Sequence, residues 1–174
     1  MKLKVLKKQN GSRDCIVCGK ESEASLRADF YELAGEVLAC PFVARNEHQS
    51  YPGRMHGGMI SAVLDETIGR AVNIREPDTW GVTGELKVRF KAPVPLGEPL
   101  LAVAVITKNI GRLFVGKGHI EDREGRILAT AEATYMKLPM EQISTSPLYG
   151  WGVYPDAEPV EWIEVKGMDG YTDV

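Results

Sequence analysis

Long apolar runs are missing from this chain. No stretch of its 174 residues approaches the roughly 18 apolar residues that a membrane-spanning helix needs, so no membrane partner is expected. An excess of charge is missing too. The net charge of -3 gives no global attraction to nucleic acid, and no such partner is expected. Cysteine is scarce, and its count of 3 is odd, which argues against a disulfide framework. The basic start, M-K-L-K-V-L-K-K-Q-N, lacks the continuous apolar core of a signal peptide. A cytoplasmic location is therefore expected, where thiols stay reduced. The nucleophile elbow G-x-S-x-G and the zinc-binding H-E-x-x-H are both absent. Gly111 to Gly118 superficially resembles a phosphate-binding loop, but the Ser/Thr is lacking and no helix pattern follows. Cys15-Ile16-Val17-Cys18-Gly19 is half of a zinc-ribbon pattern. Its other half is missing, since Cys40 stands alone and structural zinc takes four ligands as a rule. The pair is read as a tight turn with two half-buried thiols, and no metal is expected.

The chain does have enough apolar material for a core, at 44% hydrophobic residues, in a length that suits one domain. Its organising stretch runs from Met55 to Ile74. Apolar residues there fall on nearly every side of a helix, and such a helix is usually buried. Asp65 and Glu66 sit in its middle. Acidic side chains are almost never fully buried unless paired. At least one of them is expected to face a polar cavity, a partner or a substrate.

Around this helix the pattern is one of strands. Residues 1–14 read as a polar lead-in. Leu26–Tyr31 and Glu36–Val43 suggest a hairpin, and Ala44–Arg54 a loop into the helix. After Pro77, Val82–Lys91 alternates, with Leu86, Val88 and Phe90 on one face and Lys87 and Arg89 on the other. Leu100–Ile106, Arg112–Glu121 and Ile127–Leu138 follow as further strands, separated by Gly-containing turns. One helix among grouped strands indicates an α+β domain, with a curved antiparallel sheet of about six strands wrapped around the helix. Residues 15–138 form this domain. Residues 139–174 differ in composition and read as an extension packed over the surface by Tyr149, Trp151, Tyr154, Trp162 and Tyr171.

His56-Gly57-Gly58 opens the helix. Glycines let a ligand approach the backbone closely, and a helix N-terminus favours an anion or a developing oxyanion. The other reading is a tight turn into a buried helix, and the glycines alone do not decide. Asp65 lies eight residues beyond Gly57, about 12 Å along a regular helix, too far for both to act on one carbonyl within a chain. Two helices antiparallel across a two-fold axis would bring Asp65 of one subunit to Gly57 of the other. A homodimer with two composite sites is expected. Glu66 is the rival acid, with an ion pair to Arg70 as its alternative. Thr83, near the start of the strand after the helix, is read either as orienting a water or the carboxylate or as simply a strand residue. His48 and His119 are expected to be solvated.

The segments H-G-G-M-I-S-A-V-L-D-E, T-G-E-L-K-V-R-F-K-A-P-V-P-L-G-E-P-L and D-R-E-G-R-I-L-A-T-A-E-A-T-Y together resemble the hotdog-fold acyl-CoA thioesterases, closest to the phenylacetate-pathway type. The resemblance covers about residues 15–138. It implies a hotdog fold and hydrolysis of an acyl-CoA, coenzyme A being part of the substrate rather than a cofactor. It implies Asp65 as the catalytic carboxylate, acting either as general base on water or as nucleophile, Gly57 N–H, with Gly58, as the donor to the thioester carbonyl, and Thr83 as a holder of the water. His56 is a further catalytic candidate, and Glu66 and Gly58 are candidates for substrate contact. Dimers and dimers of dimers are implied as well. Lys87, Arg89 and Arg112 are candidates for the CoA phosphates. Two rival readings share the fold: an acyl-thioester dehydratase or hydratase using a histidine such as His48, and a non-catalytic acyl-CoA-binding module.

Overall fold

The computed structural model describes residues 1–144, 146 and 150–168. Its strands are β1 (Lys2–Lys8), β2 (Tyr31–Leu33), β3 (Val37–Val43), β4 (Gly81–Phe90), β5 (Pro99–Ile110), β6 (Leu113–Glu121), β7 (Ile127–Lys137) and β8 (Trp162–Glu164). They form one sheet in the order β4-β7-β6-β5-β3-β2-β1-β8, antiparallel at every pairing. The long helix α1 (Gly57–Ala71) packs against β3, β4, β5, β6 and β7 together, so the sheet wraps it. A single turn of helix, α2 (Met140–Ile143), follows β7. This is the α+β hotdog architecture.

The helix forms where the apolar pattern placed it. Ile60, Val63, Leu64, Thr67, Ile68 and Ala71 are its buried stripe. Thr67 is tolerated at this depth because its Oγ1 donates to the Val63 carbonyl at 2.6 Å. The facing row of the sheet includes Phe114, Ile120, Ala129, Ala133 and Tyr135. Small residues on β6 set how close the helix can come. A Cβ on Gly116 would lie 2.5 Å from Ile68 Cγ2 and 3.0 Å from the Val105 carbonyl oxygen. The carbonyl belongs to the sheet ladder and cannot yield. Gly116→Ala is therefore expected to destabilise by about 1–3 kcal/mol, the usual range for overpacking. At this chain length that lowers Tm by roughly 2–10 °C. Gly152→Ala, where a Cβ meets nothing within 4 Å, is the control for a thermal melt.

The expected sheet of about six strands has eight, and the two additional strands come from the ends of the chain. Residues 2–8, read as a polar lead-in, form β1. Leu3 and Val5 alternate with lysines and join Ile163, Val165 and Met168 on a second apolar cluster with Tyr31, Leu33, Val37 and Val103. The lysines that alternate with Leu3 and Val5 are why the segment resembles a solvated tail. The C-terminal extension supplies β8, which pairs with β1. Trp151 of the extension packs on Trp80, ring centroids 5.1 Å apart, while Tyr149 and Tyr171 lie outside the described residues.

The first expected strand is displaced. Leu26, Ala28 and Phe30 are buried, as their alternation suggests, but Arg27 has φ 54 and leaves the extended region. The Lys20 ammonium takes the carbonyls of Arg27 and Ala28, so they join no ladder. His48 and His119 are buried rather than solvated. His48 is only 2% exposed, its Nδ1 accepting from Arg45 N–H and its Nε2 paired with the Ala24 carbonyl, both at 2.9 Å. His119 Nε2 is 3.2 Å from Glu121 Oε2, and both side chains lie beneath residues 166 and 167, whose N–H groups donate to Glu121.

Candidate active site

Asp65 projects from the middle of α1, half-buried, toward the end of the sheet formed by β4 and β7. Thr83 and Tyr135 are direct cross-strand partners there, so their side chains share the helix-facing side. Thr83 Oγ1 donates to Asp65 Oδ1 at 2.9 Å. Tyr135 Oη donates to the same oxygen at 3.0 Å and to the Asp65 carbonyl at 2.7 Å. Among the described residues no hydrogen bond reaches Asp65 Oδ2, and no cation pairs with the carboxylate. One oxygen is held and the other carries no partner among the described residues. The Tyr135 phenol is kept protonated, well above its ordinary range, first by burial and then by the negative charge of Asp65. It is a dedicated donor. Its ring stacks on Phe114 with centroids 4.8 Å apart, which fixes its direction.

Sequence reasoning missed Tyr135 as part of this group. The available signal was positional: it ends the inward row of β7, at the place that pairs with Thr83 on β4.

The helix start is built differently from its glycine content alone. His56 is the N-cap, and its Nδ1 accepts from Gly58 N–H at 2.9 Å. That commits the Gly58 donor within the chain. Among the described residues the Gly57 N–H has no acceptor. It points out of the helix at the positive end of the dipole. A Cβ on Gly57 would lie 3.5 Å from the Phe90 ring, so the helix start lies beside the end of β4, while Asp65 lies beside its beginning. Within one chain the two stay about 12 Å apart, eight residues of regular helix.

Glu66, the neighbouring acid, is engaged elsewhere. Its Oε1 takes Arg70 at 2.8 Å and its Oε2 lies 3.1 Å from Cys15 Sγ. Lys87 and Arg89 lie on the face of β4 away from the helix, since Leu86 and Val88 between them pack inward. With Lys117 and Lys166 they line a basic groove of about 550 Å³ on the outside of the sheet. They do not line the Asp65 site, and Arg112 belongs to the β5–β6 turn.

Against this geometry, comparisons with known proteins agree with one another. The model of the thioesterase superfamily matches residues 52–129, the span that includes α1, β4, β5 and β6 and thus Gly57, Asp65 and Thr83. Over that span, a little under half of the chain, the sequence is similar to the thioesterase superfamily. Among hotdog proteins of known structure, the thioesterase superfamily protein RHA08564 superposes with a TM-score of 0.65 at 26% identity, over 71% of this chain and 60% of that one. A putative esterase of Caenorhabditis elegans, F42H10.6, is 28% identical over 110 residues, 62% of this chain and 64% of its own length. The acyl-coenzyme A thioesterase THEM4 of Rattus norvegicus is 29% identical over 112 residues, 64% of this chain and 47% of its own length. The chain thus spans between about half and two thirds of these relatives. Among the described residues no helix of this hotdog domain is long and apolar enough to cross a membrane.

Proposed function

We propose that the protein hydrolyses the thioester of a small or medium acyl-CoA at a site shared between two subunits. The observation that carries this reading is the Asp65 carboxylate, anchored through Oδ1 by Thr83 and Tyr135 while Oδ2 stays open. Likeness to relatives named as an esterase and as an acyl-coenzyme A thioesterase supports the same chemistry.

In this reading Asp65 Oδ2 takes a proton from water as the water oxygen attacks the thioester carbonyl carbon. The carbonyl oxygen gains negative charge and meets a Gly57 N–H, reinforced by the helix dipole. The C–S bond then breaks, the CoA sulfur leaves as a thiolate or takes the proton from Asp65, and the free acid departs. His56 contributes by capping the helix that presents Gly57, and Gly58 by completing that cap. Glu66, bound to Arg70 and near Cys15, is left out of the step.

The two groups serve one carbonyl only across a two-fold axis. Strand β4 is ten residues long and ends the sheet, with residues 81–85 exposed and Phe90 57% exposed. Such an edge is a template for pairing with another strand. Antiparallel pairing of β4 with its own copy, centred on Lys87 and counting the bulge between Thr83 and Glu85, sets Thr83 opposite Phe90 of the partner subunit. Asp65 sits at Thr83 and Gly57 sits at Phe90, so that pairing brings Asp65 toward Gly57 of the partner subunit. A homodimer, able to associate further into a dimer of dimers, is the proposed active form.

His48, the histidine of the hydratase reading, is buried with both ring nitrogens committed, which favours hydrolysis over hydration.

Tyr135→Phe tests the anchoring of Asp65. The ring and its stacking on Phe114 are kept and only the donor is lost. The expected result is about a tenfold lower kcat for thiol release with little change in KM. An unchanged kcat would remove Tyr135 from the site.

A further inference from the structure

The thiol pair that the sequence left as half a pattern gains a third ligand in the fold. Gly19 N–H donates to the Cys15 carbonyl at 2.8 Å and closes a turn so tight that a Cβ on Gly19 would stand 2.3 Å from that oxygen. The turn aims two backbone N–H groups, from Val17 and Cys18, at Cys15 Sγ, at 3.3 and 3.4 Å. Donors directed at a sulfur favour its charged, ligating form. The turn lies against the middle of α1, where Glu66 Oε2 is 3.1 Å from Cys15 Sγ. The two sulfurs and one Glu66 carboxylate oxygen all lie within 4.8 Å of one another. Ligand atoms of a tetrahedral zinc site, with bonds of about 2.3 Å to sulfur and about 2.0 Å to oxygen, stand roughly 3.5–3.8 Å apart.

We propose that Cys15, Cys18 and Glu66 form a binding site for a divalent, thiophilic metal ion of the zinc class, with the fourth position left to solvent.

The surroundings suit that assignment. Glu66 divides its two oxygens: Oε1 belongs to Arg70, and Oε2 faces the sulfurs. Arg70 Nη2 donates to Cys18 Sγ at 3.1 Å, and Nη1 is fixed by the Asn10 carbonyl at 2.8 Å. Its guanidinium also lies over the rings of Phe30 and Trp151, at 4.5 and 5.0 Å. Arg70 is thus a fixed outer partner of two ligands, the arrangement that orients metal-binding side chains. Charge balances in both states. With two thiols and no metal, the Glu66 carboxylate offsets Arg70. On loading, two thiol protons leave as one divalent cation enters, and the sum stays at zero. The metal joins the loop before β2 to the helical turn that carries Asp65, one residue from Glu66. The site stands independently of the thioesterase reading.

Cobalt titration of the full chain, chelator-treated and reduced, tests it. Binding of one Co²⁺ per chain should produce a thiolate-to-cobalt charge-transfer band in the near ultraviolet. About two protons should be released per ion in weak buffer. Zinc should displace the cobalt and raise Tm in proportion to its binding. Cys18→Ser should abolish the band. Glu66→Gln, which keeps an oxygen for Arg70, should weaken Kd by at least about tenfold. Cys40→Ala, buried outside the cluster, should leave the band unchanged. Circular dichroism reports whether each variant is folded. A folded, fully reduced wild type with no charge-transfer band overturns the proposal. Should Cys18→Ser fail to fold, the wild-type spectrum and Glu66→Gln decide. An unchanged Kd in Glu66→Gln overturns the three-ligand site.

Discussion

Replacing Asp65 by Asn is expected to lower kcat for acyl-CoA hydrolysis by at least about a hundredfold, the scale of a lost general base. The substitution is nearly isosteric. The amide oxygen still accepts from Thr83 and Tyr135, the two bonds that hold Oδ1 at 2.9 and 3.0 Å. What disappears is the basic oxygen opposite them. Thermal unfolding should therefore match wild type, and KM should change little, since the loss falls in the transition state. Measured turnover close to wild type in the folded variant would shift the chemistry to another group. Glu66 is a poor successor, because its two oxygens face Arg70 and Cys15.

The second large effect is one of recovery. Asp65→Asn keeps the Gly57 donor, whereas Gly57→Val keeps the acid and blocks the donor. A Cβ at position 57 meets the Phe90 ring at 3.5 Å, an ordinary contact, so a side chain there covers the helix start without breaking the fold. Each variant alone should be nearly inactive. A mixed dimer rebuilds one site from the acid of one chain and the donor of the other, while its second site carries both lesions. Random mixing makes about half of the dimers mixed, so activity should return to roughly a quarter of wild type if the sites act independently. Co-refolding followed by an assay reads this out. No recovery in confirmed mixed dimers would place the whole site within one chain.

What was legible in the sequence follows from the range of the interactions involved. Helix α1 announced itself because its apolar stripe, its glycine entry and the proline after it are all local features. The central strands did so through alternation on β4 and β7. The chain ends were not legible. Leu3 and Val5 become partly buried only because Ile163 and Val165 arrive from 160 residues away to close the second cluster. The segment around Leu26 misled for a similar reason. Its alternation records burial, but a lysine side chain takes the carbonyls that a strand would pair. In the candidate site, Asp65 stood out as an acid in an apolar helix, and Thr83 as a polar residue at the start of the next strand. Tyr135 did not, because one more aromatic in an inward row reads as core until its pairing with Thr83 is known. Glu66 could be an ion-pair partner or a site residue from sequence alone. Only the fold brings the distant Cys15 beside it.

The central claim, hydrolysis of an acyl-CoA thioester, is met most directly by product analysis on one panel of acyl-CoAs, saturated and α,β-unsaturated, offered to wild-type protein. Wild type should release free coenzyme A thiol in equal amount with the free carboxylic acid, and Asp65→Asn should lose both. Hydration of the unsaturated members with the thioester intact, or stoichiometric binding of acyl-CoA without turnover, would contradict it.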